Sequence, residues 1–379
     1  MNVRHVFVTN DFAPKLGGIE SYLRVLCKGL DPKRIVVVAP ARKGYERVDA
    51  QLPHEVVRLP GTYLRASRAV GRQIGEIASR RDVGAVHFLH ALPLGRLGQR
   101  VRAGTGKPYT VFAHGSEILI PARIPVVAWS LRRTLAGADM VFAVSEFTRA
   151  AVDRYTKGRA RTAVLHPAVE VNRFSLGVSG AGVRERYRLG SRFVVLFVSR
   201  LVRKKGAETL VRAMAGLPKA VALVVGTGPE EAALKRLVEE LELTGRVVFA
   251  GRVPDRHLPQ FYAAADVFCM PCSSRLGGVD TEGFGIVYME AAASGLPCVA
   301  GDCGGSVEAV EDGVTGVVLA DPTPTSVARA LKQFAQDPVL RTTYGAAGRA
   351  RAETWFSPQA QAERFEENVS EMLGARTAT

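Results

Sequence analysis

The sequence predicts an α/β chain of two doubly wound domains that face each other across a cleft. Three observations carry this. Short apolar runs alternate with helical patterns along both halves, which suits βαβ units with parallel strands buried on both faces. The chain has 379 residues, too many for one ordinary hydrophobic core. Near residues 170–190 the periodic pattern lapses into EVNRFSLGVSGAGVRERYRLG, a stretch rich in Gly, Ser and charge. The expected domains are 1–175 and 176–357, with a closing helix from 358 that packs back onto the first.

The first half opens on a strand at 4–9 (RHVFVT). No apolar leader of signal-peptide length precedes it, and no run in the chain is long enough to cross a membrane. A cytoplasmic protein is the expectation. Next, Gly17-Gly18 stands before a helix whose apolar positions Ile19, Leu23, Leu26 and Leu30 keep helical spacing. The glycine pair is either a tight corner or a set of open N–H groups for an anion. It is neither a Walker loop nor G-x-G-x-x-G. Strands follow at 34–39 and 84–89. Between them, residues 58–81 set Ala66, Val70, Ile74 and Ile77 on one helical face and Arg65, Arg68 and Arg72 on another. This is either a crossover helix with a solvated Arg face or a basic amphipathic helix lying on an anionic leaflet. The strand at 109–114 ends in His114-Gly115-Ser116-Glu117, so His114 lies where open α/β sheets bind ligands, unless it is simply a polar loop residue. RIPVVAWSLRR (123–133) offers a second basic-apolar surface. Strands at 140–145 and 162–166 complete this half.

In the second half strands are expected at 193–199, 220–226, 247–251, 266–271 and 297–301. The first opens into RLVRKKG (200–206), where Arg200 and Lys205 gather before a helix N-terminus, a setting that suits a diphosphate. Residues 280–302 place Glu282 before Gly283-Phe284-Gly285, and Glu290 inside a helix expected from about Gly285 to Ala293. Ile286, Met289 and Ala293 would be its buried stripe. The glycines free backbone N–H groups at the positive end of that helix. Amides would meet phosphate, and the two carboxylates would accept bonds from ribose and sugar hydroxyls. Paired glutamates also point to glycoside hydrolysis, a chemistry with no need of a phosphate-seeking basic loop.

Charge is unevenly placed. Residues 1–180 carry 28 Lys and Arg against 13 Asp and Glu, while residues 181–379 carry 23 of each, so the net +15 sits in the first half. That half should be drawn to a polyanion: nucleic acid, an anionic membrane or a phosphorylated acceptor. No nucleic-acid motif accompanies the charge, so nucleic acid is not an expected partner. Five cysteines, an odd number, argue against a disulfide framework. Cys269 and Cys272, with Cys298 and Cys303, admit a zinc reading. A buried strand running into a loop explains them better.

Gly17-Gly18, His114-Gly115, the Arg200 to Lys205-Gly206 loop and the E-x7-E of Glu282 and Glu290, in that order, resemble the retaining glycosyltransferases of the GT-B type. These have two Rossmann-like domains facing across a cleft, and the likeness is to their fourth sequence family. TNDFAPKLGGIESYL, SRLVRKKG and SSRLGGVDTEGFGIVYMEA resemble in particular the actinobacterial mannosyltransferases that use GDP-mannose on phosphatidylinositol mannosides. The resemblance spans nearly the whole chain. It implies a catalytic set of His114, Arg200, Lys205 and Glu282. Glu290 would bind the donor ribose and Glu282 a donor-sugar hydroxyl. Arg200, Lys205 and the amides around Phe284, Gly285 and Ile286 would hold the leaving diphosphate. Gly17 and Gly18 would approach that diphosphate, His114 would sit against the donor sugar, and Asp11 would face the acceptor. One departure is Ser116, where a second histidine is expected in the mannoside-forming relatives. It bears on the acceptor more than on the reaction.

No D-x-D pair is present. The implied reaction needs no metal or other cofactor, and cations with a helix dipole would stabilise the diphosphate. Retention would follow from same-face attack, with the leaving phosphate taking the acceptor's proton. The expected partners are a nucleotide sugar, GDP-mannose by likeness, and an anionic lipid acceptor or membrane surface met by the basic half. That would make the protein peripheral on the inner face of the cell membrane. The competing readings are a UDP-sugar with a soluble acceptor, such as an antibiotic or small-thiol precursor, and a non-catalytic nucleic-acid-binding protein.

Overall fold

Parallel strands need a crossover between each pair, and this chain supplies a helix for nearly every one. The computed structural model describes residues 3–15, 17–80, 82–119, 124–274 and 280–377. The chain divides into two compact units: Met1–Ala168 with Pro358–Thr379, and Val169–Ser357. The division falls a few residues before the position expected from the Gly- and Ser-rich stretch.

In the first unit the strands are β1 (Arg4–Val8), β2 (Ile35–Pro40), β3 (Glu55–Leu59), β4 (Val83–Phe88), β5 (Tyr109–Ala113), β6 (Met140–Ala143) and β7 (Thr162–Val164). They form one parallel sheet of order β3-β2-β1-β4-β5-β6-β7. Its helices are α1 (Gly18–Gly29), α2 (Tyr45–Asp49), α3 (Arg68–Ala78), α4 (Gly98–Thr105), α5 (Ser116–Leu119), α6 (Pro125–Gly137) and α7 (Glu146–Thr156). Strand β3 was not among the predicted strands. It lies at the sheet edge, is mostly half-buried and carries Glu55 and Arg58, so it lacks the continuous apolar run of an inner strand. Ser67 caps α3 by accepting a hydrogen bond from the Val70 N–H at 3.2 Å. Ile74, Ile77 and Ala78 of α3 enter the core beside Val6, Val36 and Val86, and Ala66 and Val70 pack against it. The apolar face considered for membrane contact is therefore committed to the sheet. Only the Arg68 and Arg72 face of α3 is exposed.

In the second unit β8 (Phe193–Val198), β9 (Ala220–Val225), β10 (Val247–Gly251), β11 (Val267–Met270), β12 (Cys298–Gly301) and β13 (Gly316–Leu319) form a parallel sheet of order β10-β9-β8-β11-β12-β13. The helices are α8 (Ala181–Arg186), α9 (Ala207–Ala213), α10 (Glu231–Glu240), α11 (Leu258–Ala263), α12 (Ile286–Ala293), α13 (Ser306–Ala309), α14 (Pro324–Gln336) and α15 (Pro338–Trp355). The unpredicted strand is again an edge, β13, four residues long and half-buried. Both sheets reverse direction beside their first strand, which opens a crevice at the carboxyl ends of β1 and β4 and of β8 and β11.

The last helix, α16 (Pro358–Thr377), belongs to the first unit. Phe365 is fully buried, with ring centroids 5.6 Å from Phe7 and 5.4 Å from Phe142. A polar chain runs beneath it. His87 Nδ1 lies 2.8 Å from Thr110 Oγ1 and its Nε2 lies 3.1 Å from His5 Nδ1. His5 Nε2 then reaches Glu366 Oε1 at 3.3 Å, and Arg34 donates to Glu366 Oε2 at 2.9 Å. Burial, and then the neighbouring His5, push His87 well below 6.5, so it folds neutral. The sign follows from linkage. The unfolded chain binds the proton first as pH falls, so the stabilisation is whole above about 6.5 and is lost below it, by at most about 1.4 kcal/mol per pH unit. Urea midpoints between pH 7.5 and 5 should therefore fall, and His87→Leu should flatten the slope. An unchanged slope in that variant would contradict the assignment.

Candidate active site

In the second unit the residues expected to hold the donor gather at the carboxyl ends of β8 and β11. Lys205 ends a short 3-10 turn, and Gly206 follows it at φ 76° as the residue before α9. A Cβ on Gly206 would lie 2.1 Å from the Pro271 carbonyl oxygen, so only glycine lets the β8 loop lie against the end of β11. That approach brings the Lys205 ammonium onto Glu282 Oε2 as a mostly buried ion pair. Its neighbour Lys204 donates instead to Asp280 Oδ1 at 2.7 Å and to the Thr281 carbonyl at 3.1 Å. Arg200 is exposed just past β8, and among the described residues no carboxylate pairs with it.

Glu282 is fixed through its backbone. Its N–H points to Cys303 Sγ at 3.4 Å and its carbonyl accepts from the Gly305 N–H at 3.0 Å. The hydrogen bond from Cys272, with those from Thr281 and Ser274, brings the Cys303 thiol down to about 6 against the effect of burial. Helix α12 begins after Gly285, at φ 91°, where a Cβ would lie 2.7 Å from the Tyr288 ring. No side chain caps α12, so its first amides and its dipole are open to an anion. The Phe284 side chain is buried with its ring 5.7 Å from Phe356, so Phe284 offers backbone, not its ring, to a ligand. The expected buried stripe is corrected in part: Met289 and Ala293 are buried, Ile286 is only half-buried, and Tyr288, Ala291 and Ala292 complete a helix enclosed on most sides.

Glu290 accepts a 2.7 Å bond from the hydroxyl of buried Tyr262. A hydrogen bond to a charged group contributes about 1.5–3 kcal/mol and here also fixes the rotamer. Tyr262→Phe is expected to weaken nucleoside diphosphate binding about tenfold, measured by titration calorimetry, for a loss of about 1.4 kcal/mol. Unchanged affinity would mean that Glu290 does not touch the nucleotide.

In the first unit a second group stands at the ends of β1, β4 and β5. Asp11 Oδ2 lies 2.9 Å from His90 Nε2, and its other oxygen meets the Lys15 ammonium. The His90 hydrogen bond, with Lys15 in support, holds the Asp11 carboxyl well below the usual carboxylate range despite partial burial. His114 Nε2 lies 2.9 Å from the Leu89 carbonyl and must donate to it, which leaves Nδ1 as an acceptor. Burial pulls His114 down to about 3, so the ring is neutral and its role is hydrogen bonding rather than charge. Its backbone N–H donates to the Glu117 carboxylate. Gly17 and Gly18 are exposed, and a Cβ on either would meet nothing within 4 Å. Packing does not demand these glycines, and no side chain caps α1. Leu16 and residues 275–279, within the quoted stretches, lie outside the described residues, as does Arg123.

The structure thus joins Lys205 to Glu282 and gathers Asp11 with His114 in one unit. It adds His90, Lys15 and Tyr262, which the sequence reading missed, and it gives Glu117 and Cys303, read only as part of a turn and of a zinc alternative, contacts with His114 and Glu282. His90 had a usable signal, since it follows the strand at 84–89 as His114 ends the strand at 109–114. All five cysteines are buried and unpaired, and no group of three or more His, Cys, Asp or Glu able to hold a metal occurs among the described residues.

Two units, each a doubly wound parallel sheet, are the architecture of the GT-B glycosyltransferases. Residues 16–173 match Glycosyltransferase Family 4, and residues 184–351 match Glycosyl transferases group 1. The chain belongs to this glycosyltransferase family. It is 36% identical, over 98% of its length and 100% of the relative's, to the GDP-mannose-dependent alpha-(1-6)-phosphatidylinositol monomannoside mannosyltransferase of Mycolicibacterium smegmatis. It is 33% identical, over 94% of its length and 95% of the relative's, to the GDP-mannose-dependent monoacylated alpha-(1-6)-phosphatidylinositol monomannoside mannosyltransferase of Corynebacterium glutamicum. Among solved structures, Anabaena HepE in complex with UDP has the same fold, with a TM-score of 0.82 at 22% identity over 97% of this chain and 100% of that one. Sucrose-phosphate synthase from Thermosynechococcus elongatus gives 0.79 at 23% identity over 98% and 100%.

Proposed function

We propose that the protein transfers mannose from GDP-mannose, with retention, to a phosphatidylinositol monomannoside-type lipid. The observation that carries the transfer chemistry is the Lys205–Glu282 pair beside the uncapped mouth of α12. In the resting state each neutralises the other. With donor bound, Lys205 would turn to the diphosphate and release Glu282 to a sugar hydroxyl. Arg200 and the α12 amides would share the charge that builds on the leaving phosphate. Neutral His114 would offer Nδ1 to a hydroxyl without adding charge. The mannose donor and the lipid acceptor rest on the full-length likeness to the mannosyltransferases above. The basic first half supports attachment to an anionic membrane surface, and among the described residues no helix is long and apolar enough to cross one.

Titration calorimetry with GDP, UDP and ADP tests the donor. GDP should bind best, and Glu290→Ala should weaken it. A preference for UDP would move the donor to a UDP-sugar and remove the lipid-mannoside reading with it. Transfer should also survive EDTA, since the proposed chemistry uses cationic side chains and amides alone. Loss of transfer that added divalent cation restores would contradict this.

A further inference from the structure

Helix α6 carries an exposed stripe that nothing in the donor chemistry uses. Val126, Trp129 and Arg133 fall at helical spacing on one side, while Leu131, Thr134 and Leu135 face the core. Val126 is 79% exposed and Trp129 65%, and Ile124, just before the helix, is 54% exposed. Three large apolar side chains at one helix end are unusual on a surface that only meets water. Beside them, Arg96, Gln99, Trp129, Ser130 and Arg133 line an open cleft of about 180 Å³. The Arg133 guanidinium stands over the Trp129 ring at 5.6 Å.

The surroundings are one-sided in charge. Gly71 of α3 faces Leu97 and the Arg100 side chain, so α3 and α4 are neighbours, and α6 shares the cleft with residues 95–99. Across residues 68–78, 94–105 and 125–137 there are seven arginines and a single carboxylate, Glu76. Arg102 is turned toward Asp139 at 3.3 Å. No carboxylate pairs with Arg68, Arg72, Arg96, Arg100 or Arg133 among the described residues.

We propose that the Arg96–Arg133 cleft is a docking site for an anionic phospholipid headgroup, with Ile124, Val126 and Trp129 inserted at the boundary between headgroups and acyl chains. An indole suits that boundary, with an apolar body and one polar N–H. Arginine suits a phosphodiester, since its planar fork gives two parallel donors. The apolar wedge favours a membrane over a soluble phosphate or a nucleic acid, because neither of those would cover Val126 and Ile124. The docking rests on the lipid-acceptor reading only for its purpose; the surface itself is independent of the donor site.

The test uses the whole protein with vesicles of phosphatidylcholine, with and without about one third phosphatidylglycerol. Trp355→Phe leaves Trp129 as the sole indole. The expected results are a blue shift of its emission on anionic vesicles alone, and cosedimentation that weakens with salt. Arg96→Gln with Arg133→Gln should cost about fivefold in partitioning for each arginine, and Val126→Ser with Trp129→Ser at least tenfold. GDP binding, read in parallel, should be unchanged in all of these variants. No blue shift, or a loss of binding in Arg68→Gln/Arg72→Gln with none in the α6 variants, would overturn the proposal. So would a concentration-dependent dimer that buries Trp129 without vesicles. A protein that docks as described yet transfers no mannose would leave this surface standing and overturn the proposed function instead.

Discussion

Lys205→Ala is expected to lower kcat/KM about 10²–10³-fold, most of it in kcat, by analogy with removal of one preorganised donor from an oxyanion site. The ammonium is held by the β8 loop next to Glu282, and both side chains are about 15% exposed. A charge held there meets a diphosphate with little reorganisation, and its effect grows as negative charge builds on the departing phosphate. The deletion also leaves Glu282 without its ion-pair partner beside an incoming polyanion. Lys204→Ala is the matched control, because Lys204 is committed to Asp280 at 2.7 Å and to the Thr281 carbonyl. Steady-state kinetics on both variants check the assignment. A larger loss in Lys204→Ala than in Lys205→Ala would contradict it.

Gly206→Ala should have an effect of similar size, but through stability. At φ 76° an alanine loses about 1–2 kcal/mol from left-handed strain alone. Its Cβ would also fall 2.1 Å from the Pro271 carbonyl oxygen and 2.7 Å from the carbonyl carbon. Both are backbone atoms, so no rotamer relieves the clash, and either the β8 loop or the end of β11 must move. A total of more than about 3 kcal/mol is expected, which lowers Tm by roughly 6–12 °C in a unit of this size. The shift should be accompanied by loss of GDP binding. Gly313→Ala isolates the strain term, since it sits at φ 74° with nothing within 4 Å of a Cβ. Thermal unfolding of the two variants separates the effects, and equal Tm shifts would show that the clash is relieved.

The inner strands of both sheets were legible in the sequence because burial on two faces demands unbroken Val, Ile, Leu and Phe. The edges divided: β7 and β10 were expected, whereas β3, which carries Glu55 and Arg58, and β13, only four residues long, were not. The helix mouth at Gly285 was legible because a glycine turn before an apolar run has few other uses. Its tail was read too simply: Tyr288 and Ala291 are buried beside Met289, so a single-stripe pattern did not apply. Partners of site residues were hidden for a different reason. Tyr262 reaches Glu290 from 28 positions away, and His90 reaches Asp11 from another strand. Only the strand order brings such pairs together, and spacing along the chain does not encode it. The amphipathic pattern over 58–81 was real, but periodicity alone could not say that the core, not a membrane, takes the apolar face.

Transfer itself is the most direct measurement. Purified protein, GDP-mannose and an acylated phosphatidylinositol monomannoside are incubated, and the lipid is analysed by mass spectrometry with α-mannosidase digestion. The expected result is one added mannose that the α-specific enzyme removes, with no product when UDP-sugars replace GDP-mannose. Product formed only from a UDP-sugar, or an added mannose that resists α-mannosidase, would contradict the assignment.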